Sequence, residues 1–271
     1  DNKTFHGAIG GLFGYAGGTA TAPSEISNCT NNGDIYLEST FGIKRCRFAA
    51  LVGEYTSGNI TNSTNNGDIH YHIQRTTNQN YFGGIVGDNY AGKGNRWGLV
   101  ENCVNNGNMN VKIGRCSGIL ATANTGVILE DVTNNGNQVN TVANGRLGNI
   151  VCNISHHCTL KNCVNNGDLE ATNNYTGTVG GIFALAGSAT ITGIEGGGNY
   201  GTIKTLSGAG KYIGLLWANH NNTFPTKNIT ASGRIIVDGV ERTISEANYM
   251  ENIGYMKDPS CVTNIMWSAP K

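Results

Sequence analysis

Side chains that could do chemistry recur at matched places in the first half of this sequence. Alternate positions of three short segments hold Tyr36 and Glu38, then His70 and His72, then Lys112. If the three segments lie side by side, a carboxylate, an imidazole and an ammonium group become neighbours. Such a group could act as general acid and base on a polysaccharide, or bind a polar ligand without reaction. The two histidines could also ligate a metal, but no third ligand accompanies them, and we predict no metal, no cofactor and no catalytic residue.

A second set of candidate binding residues lies in the glycine-rich stretch DNYAGKGNRWGLV at 88–100. This stretch contains Tyr90, Arg96 and Trp97. Aromatic faces stack on sugar rings, and an arginine can hydrogen-bond to hydroxyl groups. The alternative is that Trp97 folds back and covers the protein. We predict that a ligand site would combine this stretch with the first set of residues on one outer face.

The composition excludes some classes of partner. The 271 residues carry 18 basic and 18 acidic side chains, so the formal net charge is zero and gives no electrostatic reason to bind nucleic acid. Charged residues make up only 13%, whereas glycine reaches 40 residues, a balance typical of extracellular β-rich proteins. No run of about 18 apolar residues is present, so we predict a chain that does not span a membrane. The chain begins in repeat-like sequence, from which we expect a processed protein or a fragment of a longer parent.

The first set of residues follows a repeated eight-residue motif. NCTNNGDI at 28–35 returns as NSTNNGDI, NCVNNGNM, DVTNNGNQ and NCVNNGDL. Its central triplets are Asn31, Asn32 and Gly33; Asn65, Asn66 and Gly67; Asn105, Asn106 and Gly107; Asn134, Asn135 and Gly136; and Asn165, Asn166 and Gly167. If each triplet is a corner stacked on the next, the amides form ladders, asparagine tolerates the left-handed backbone and glycine supplies positive φ. A calcium array is the alternative, but Asn108 and Asn137 interrupt its column of aspartates.

A second motif, such as GGIVG at 83–87, recurs beside the first. Seven copies, from GGLFG to GLLWA, follow one another at a mean spacing of about 34 residues. Each repeat holds three short apolar segments that alternate like β-strands. We therefore predict an all-β, single-domain β-solenoid, or β-helix, of about seven rungs with three short strands in each, over residues 1–240. Both bulky columns of the GGIVG motif are apolar, so either both are buried or one forms an apolar stripe.

The cysteines and the C-terminal tail fit the same scheme. Cys29, Cys103 and Cys163 occupy one motif position that Ser63 and Val132 fill elsewhere, which indicates a small buried side chain and unpaired thiols. The tail, 241–271, breaks the repeat and is rich in aromatic residues and methionine. A terminal rung exposes unpaired backbone and apolar core, so we predict that this tail is a capping segment.

The pattern resembles GLUG-type repeats, in which a G-G-Φ-Φ-G strand precedes G-x-I-x-N-C-x-N-x-G. The segments GGIVGDN at 83–89 and LVENCVNNGNM at 99–109 carry the resemblance best, and it extends over about residues 7–240. It implies a bacterial cell-surface or secreted protein, because such repeats occur in large adhesin-like proteins of host-associated bacteria and beside the peptidase of some immunoglobulin A proteases. The resemblance supplies no catalytic residue, and this chain does not contain the zinc peptidase motif H-E-x-x-H.

From the residues and the resemblance we predict a non-enzymatic cell-surface or secreted module for binding or adhesion. Its expected partner is a glycan or a host surface protein. Other domains of a longer parent protein are a further candidate partner. A polysaccharide lyase or glycosidase on the same scaffold is the alternative from the enzyme class, and a structural spacer is a third. The predicted ligand-binding residues are Tyr36, Glu38, His70, His72, Tyr90, Arg96, Trp97 and Lys112.

Overall fold

In the computed structural model, the chain winds through parallel β-sheets and returns to the same place with each turn. The structure describes residues 5–19, 21–39, 43–73, 80–89, 97–142, 144–172, 177–186, 191–206, 212–220, 224–256, 260 and 262–270. Within these residues, strands of successive turns pair in register, as Val86 does with Val52 and Leu120. Four sheets result, which we number 1 to 4 in the order in which each turn crosses them. None of the described helices has the length and apolar character needed to cross a membrane.

The described strands of the four sheets have the following bounds. Sheet 1 contains Phe5–Gly10, Ile43–Ala49, Tyr81–Gly83, Arg115–Ser117, Arg146–Gly148, Thr178–Gly180 and Tyr212–Gly214. Sheet 2 contains Phe13–Ala16, Val52–Tyr55, Val86–Asn89, Leu120–Ala123, Val151–Ile154, Phe183–Ala186, Trp217–His220 and Tyr255–Met256. Sheet 3 contains Ser24–Ser27, Thr30–Asn31, Gly58–Thr61, Thr64–Asn65, Trp97–Glu101, Val104–Asn105, Gly126–Glu130, Thr133–Asn134, Cys158–Asn165, Ile191–Asn199, Thr226–Lys227, Ile229–Ala231 and Ile265–Trp267. Sheet 4 contains Ile35–Ser39, Ile69–Ile73, Met109–Val111, Gln138–Asn140, Leu169–Ala171, Ile203–Thr205, Ile235–Val237 and the antiparallel Val240–Glu241; a short helix spans Tyr249–Asn252.

The predicted all-β solenoid is confirmed, whereas its rung count and strand count are corrected. Within the described residues, six steps separate the seven strands of sheet 1, so the solenoid has about six turns and not seven. Each described turn crosses four sheets and not three. The additional strand arises because the GGIVG motif is not one strand. In the third copy, Phe82 and Gly83 end one strand and Val86 begins the next.

The GGIVG motif forms a tight bend between sheets 1 and 2. A Cβ on Gly83 would lie 1.8 Å from the carbonyl oxygen of Val86, so the bend needs glycine there. Because the chain turns sharply, Ile85 and Val86 are consecutive in sequence and yet both are fully buried. Both apolar columns are therefore buried from the second turn onwards, whereas Leu12 and Phe13 in the first turn remain 40% exposed.

Two apolar cores lie side by side in the cross-section. Sheets 2 and 3 enclose one core. Sheets 4 and 1 enclose the other, where the rings of Phe48 and Phe82 pack on Tyr71 at centroid distances of 5.3 and 4.7 Å. Between the cores the bend meets the asparagine corner, since a Cβ on Gly84 would lie 2.7 Å from Asn105 Cγ. Full burial of one such ring contributes about 1.5–3 kcal/mol, so the two cores supply much of the free energy that holds the turns together.

The asparagine corner joins sheets 3 and 4 through two hydrogen-bonded ladders. In the buried ladder, each Nδ2 donates to the carbonyl oxygen of the glycine two residues on, and each except the last also donates to the Oδ1 of the asparagine one turn later, at 2.7–2.9 Å. The buried ladder consists of Asn31, Asn65, Asn105, Asn134, Asn165 and Asn199. In the exposed ladder, each Nδ2 donates in the opposite direction, to the Oδ1 one turn earlier, at 2.8 Å. The exposed ladder consists of Asn32, Asn66, Asn106, Asn135 and Asn166.

The left-handed backbone lies elsewhere than predicted. Among the described residues, the Asn-Asn-Gly triplets do not have positive φ. The first residue of each motif copy does, with φ between 48° and 55°, at Asn28, Asn62, Asn102, Asp131 and Asn162. The corner glycines are needed for a different reason: a Cβ on Gly107 would lie 1.9 Å from the carbonyl oxygen of Gly67 in the preceding turn. Turns stacked about 4.8 Å apart leave no room for that atom.

The cysteine position of the motif follows this left-handed residue. Cys29, Cys103 and Cys163 are free thiols, of which the first is half-buried and the other two are buried. Cys103 Sγ donates to the carbonyl oxygen of Glu101 at 3.2 Å, and Ser63 Oγ makes the equivalent bond at 2.8 Å. The position therefore suits a small side chain, and the free cysteines agree with the predicted unpaired thiols.

The tail after residue 240 packs on the last turn. Tyr255–Met256 and Ile265–Trp267 add parallel strands to sheets 2 and 3. The carbonyl oxygen of Ile253 accepts backbone hydrogen bonds from Leu216 and Trp217 at 3.1 and 3.0 Å. Because Ile253 is fully buried, this contact covers the apolar end of the first core.

Candidate functional site

The outer face of sheet 4 carries the first set of predicted site residues. The rings of Tyr36 and His70 stack with their centroids 4.6 Å apart, and Glu38 pairs in register with His72. Lys112 lies one turn further along the column of His72 and is half-buried. Tyr36 is 67% exposed. The structure places these five residues on one face, and their role in binding a ligand stays a prediction.

The side chains of the second predicted set fall outside the described residues, so their combination with the first set stays a prediction. Tyr90 and Arg96 lie outside the described residues, and so does the side chain of Trp97. The backbone of Trp97 begins a strand of sheet 3, in register with Gly126. That end of sheet 3 follows sheet 2, whereas the first set lies in sheet 4, beyond the corner at Asn105.

A different set of polar and aromatic side chains lies between sheets 1 and 2. The sheet 1 column consists of Arg47, Tyr81, Arg115, Arg146, Thr178 and Tyr212. The sheet 2 column consists of Glu54, Asp88, Thr122, Asn153, Leu185 and Asn219. Arg47 contacts both Glu54 and Asp88, so the two columns face each other. We call the space between them the lateral groove, along which successive turns repeat at about 4.8 Å. The sheet 1 residues are half-buried, whereas Asp88, Thr122 and Asn153 are buried beneath them.

Small residues allow the two sheets to approach and form this groove. The last position of the bend motif holds Gly53, Gly87, Ala121, Cys152, Ala184 and Ala218 in successive turns. A Cβ on Gly87 would lie 2.7 Å from the carbonyl oxygen of Phe48, and Cys152 Sγ donates to the carbonyl oxygen of Arg146 at 2.9 Å. Larger side chains at this position would force the sheets apart.

The acidic end of the groove is a cluster around one guanidinium group. Arg47 Nε lies 3.1 Å from Asp88 Oδ2 and 3.3 Å from Glu54 Oε2, and Asn124 Nδ2 donates to Asp88 Oδ1 at 2.7 Å. Burial raises the pKa of Asp88 to about 7, although Arg47 opposes that shift. Burial also raises the pKa of Glu54, again against the effect of Arg47. The Asp88 carboxyl group therefore titrates near neutral pH.

The centre of the groove is cationic. The Tyr81 ring lies between two guanidinium groups, with its centroid 5.8 Å from Arg47 Cζ and 4.9 Å from Arg115 Cζ. Arg115 Nη1 donates to Tyr81 Oη at 3.1 Å. Arg146 pairs in register with Arg115 on the next strand, and its Nη1 donates to Asn153 Oδ1. In the part of the chain that the structure describes, Arg115 has no carboxylate partner.

An open pocket of about 330 Å³ lies further along the groove. Its lining consists of Asn144, Gly145, Arg146, Gly177, Thr178, Leu185, Tyr212 and Asn219. The Tyr212 ring packs against that of Tyr255 with 5.1 Å between centroids. Two buried polar atoms of the lining, Thr178 Oγ1 and Asn219 Oδ1, have no hydrogen-bond partner among the described residues. Buried polar atoms normally have one, so the pocket offers unused hydrogen-bonding capacity to a ligand.

Sequence reasoning missed the groove because the GGIVG motif was interpreted as one strand. On that interpretation, Tyr81 and Asp88 lie far apart along a single extended segment. The bend instead brings the residues on its two sides face to face. One sequence signal could have indicated the groove. The position two residues before each copy of the bend motif holds arginine or tyrosine in five turns: Arg47, Tyr81, Arg115, Arg146 and Tyr212.

Comparisons with known proteins agree with this architecture. The family model described as "the GLUG motif" matches residues 6–36, which contain the first bend and the first asparagine corner. A similar solved structure is described as that of "a putative immunoglobulin A1 protease from Bacteroides ovatus", with 16% sequence identity and a TM-score of 0.61. The alignment covers 92% of this chain and 80% of that chain, and at this identity the likeness shows the fold alone. No curated protein matches this chain.

Proposed function

We propose that this protein is a non-enzymatic, extracellular binding module whose ligand is a glycan held along the lateral groove. The observation that carries the proposal is the pair of facing columns, in which arginine, tyrosine, threonine and asparagine recur at a spacing of about 4.8 Å. Aromatic rings combined with a few polar groups suit the two faces of a sugar. Solenoids bind along their sides because successive turns present residues at a fixed spacing.

The composition and the motif match support a location outside the cell. Charged residues are few and glycine is abundant, which is typical of extracellular β-rich proteins. The GLUG motif at residues 6–36 adds the expectation of a bacterial secreted or cell-surface protein. For a protein outside the cell, a host surface protein is the other partner to test. A structural spacer would not need a polar groove.

A glycosidase or lyase is the second candidate function, because the acidic end of the groove pairs two carboxyl groups. Glu54 and Asp88 both approach Arg47, and burial raises the pKa of each. Raised pKa values are typical of acids that protonate a leaving group. The side chain of Asp88 is 0% exposed, however, and that of Glu54 is 15% exposed. Both members of a catalytic pair must reach the substrate, so accessibility favours binding over cleavage.

The outer face of sheet 4 is the alternative location for the ligand. The stacked rings of Tyr36 and His70 offer an aromatic platform beside Glu38, His72 and Lys112. This face belongs to a single sheet, whereas the groove lies between two sheets and can enclose a ligand. Enclosure buries more of the ligand and therefore favours the groove.

Binding to an array of glycans and host-matrix proteins tests the proposal. The proteins compared are the wild type, Arg115→Ala in the groove, His72→Ala on sheet 4 and Trp97→Ala in the glycine-rich stretch. We expect glycan binding that Arg115→Ala weakens and His72→Ala leaves unchanged. Loss with His72→Ala alone would move the site to sheet 4, and loss with Trp97→Ala alone would move it to the glycine-rich stretch.

Two further outcomes would replace the proposed function. An array without any bound ligand would favour the spacer. Shortening of a bound polysaccharide, followed by the appearance of reducing ends or unsaturated products, would favour the enzyme. Asp88→Asn is then the informative variant, because a catalytic carboxyl group cannot be replaced by an amide without loss of turnover.

A further inference from the structure

We infer that the lateral groove selects glycans that carry a carboxylate, with the carboxylate at Arg115 and Arg146 and the pyranose ring in the adjoining pocket. This inference rests on the proposed function and specifies its ligand class. It follows from three features of the groove: the Arg115 guanidinium group at its centre, which has no carboxylate partner among the described residues, unused hydrogen-bonding atoms in the pocket, and an aromatic wall next to those atoms.

The two carboxyl groups of the groove columns both lie at one end of the groove. In the sheet 1 column, Arg47 stands opposite the acids Glu54 and Asp88. The column continues with Arg115 and Arg146, but the facing positions are then neutral: Thr122 and Asn153. Arg115 has no carboxylate partner among the described residues, so its positive charge favours an anion at this place. A carboxylate is planar and accepts two parallel hydrogen bonds from a guanidinium group, so it fits this place.

Tyr81 fixes the position of the first guanidinium group. Its ring lies 4.9 Å from Arg115 Cζ, and its hydroxyl oxygen accepts a hydrogen bond from Arg115 Nη1 at 3.1 Å. One face and one donor of Arg115 are thereby engaged, and within the described part of the chain its other donors stay available. A guanidinium held in place loses less side-chain entropy when it binds an anion, which is the usual benefit of preorganisation.

The pocket suits the ring of the same sugar. Arg146 belongs both to the cationic centre and to the pocket lining, so a carboxylate and its own ring can occupy the two places together. Thr178 Oγ1 can donate or accept, and Asn219 Oδ1 accepts, which matches sugar hydroxyl groups. Tyr212 provides an aromatic wall on which the apolar face of a pyranose can stack.

Two common classes of sugar carry a carboxylate, the uronic acids and the sialic acids. The test separates these two classes from each other and from neutral sugars. Isothermal titration is performed with sialyllactose against its methyl ester, and with trigalacturonate against its methyl ester. In each pair the carbohydrate framework is kept and the charge is removed. We expect at least tenfold tighter binding of one charged member than of its neutral partner, and a loss of that difference at 0.5 M NaCl.

Variants assign the effect to named residues. Arg115→Gln should remove the preference for the charged sugar, Arg115→Lys should keep part of it, and Thr178→Val with Asn219→Ala should weaken charged and neutral sugars alike. Lys204→Gln, an exposed change on sheet 4, is the control that should behave as the wild type. Equal binding of charged and neutral sugars, or an undiminished preference in Arg115→Gln, would overturn the inference and leave the proposed function standing. Binding of no sugar at all by the wild type would overturn both.

Discussion

Arg47 and Asp88 form an ion pair across forty-one residues of sequence, with 3.1 Å between Nε and Oδ2. The pair joins sheet 1 of one turn to sheet 2 of the next at the acidic end of the lateral groove. The Asp88 side chain is fully buried, so the carboxyl group gives up its hydration for one guanidinium group and one amide. A buried ion pair of this kind is weak evidence for stability, because desolvation can cancel the attraction. It does make the groove sensitive to pH.

The stability of the protein should fall as pH rises through the mildly acidic range. An unfolded aspartate has a pKa near 3.8, whereas burial raises the pKa of Asp88 to about 7. The folded protein therefore keeps a proton that the unfolded chain has released, so the free energy of unfolding decreases between about pH 4 and pH 7. Glu54 acts in the same direction, because its pKa is also raised. Thermal unfolding should show a higher melting temperature at pH 5 than at pH 8.

The variant Asp88→Asn should lose most of that difference, because an amide does not titrate. Glu170→Gln, a change of an exposed carboxylate on sheet 4, is the matched control and should keep it. A wild-type protein that melts at a higher temperature at pH 8 than at pH 5 would contradict the assignment.

The buried asparagine ladder should contribute more to stability than the exposed one. Asn105 is fully buried and donates to Asn134 Oδ1 at 2.8 Å and to the carbonyl oxygen of Gly107 at 3.0 Å. Asn105→Ala should lower the free energy of unfolding by about 1–3 kcal/mol, because it leaves its partners unpaired away from water. Asn106→Ala removes the neighbouring member of the exposed ladder and should lower the free energy of unfolding by about 0.5 kcal/mol or less. Urea denaturation measures both, and equal losses would mean that burial does not distinguish the two ladders.

The repeat period and the alternation of residues were sufficient to predict the solenoid and the asparagine columns. Both depend on the identity of residues at equivalent positions, which can be read directly from one chain. The bend at Gly83 was not predicted, because two glycines before two apolar residues are equally typical of a buried strand. Only the clash that a Cβ would make with Val86 distinguishes a bend there.

The groove could not be predicted for the same reason. Tyr81 and Asp88 face each other only because the chain reverses between them, and nothing in their types indicates that reversal. The predicted cluster of Glu38, His72 and Lys112 depends only on register within sheet 4, and for that reason it could be placed from the sequence.

Native thiol labelling should distinguish the three motif cysteines. Burial raises the pKa of the Cys103 thiol to about 11, whereas Cys29 occupies the same motif position in the first turn and is only half-buried. A thiol reacts as thiolate, so at pH 8 iodoacetamide should alkylate Cys29 well before Cys103 and Cys163. Peptide mass spectrometry assigns each site. Labelling after denaturation without reductant should reach all three, and a disulfide between any two would contradict the described packing.

The corner glycines provide the sharpest test of how the turns stack. Gly33 lies in the first turn and faces no carbonyl oxygen of a preceding turn, whereas the later corner glycines each face one. A Cβ on Gly107 would lie 1.9 Å from the carbonyl oxygen of Gly67 and 2.6 Å from Asn65 Nδ2, whereas a Cβ on Gly33 would have nothing closer than Asn31 Oδ1 at 3.9 Å. Neither glycine has positive φ, so the comparison isolates the contact between turns.

Gly107→Ala should therefore cost about 3 kcal/mol or more, since backbone must move to accommodate the methyl group. Gly33→Ala should be neutral or stabilise the protein by up to about 1 kcal/mol, because alanine restricts the unfolded chain. Chemical denaturation of the two variants gives the difference directly. Similar losses in both would show that glycine is required by the local backbone of the corner and not by the turn beneath it.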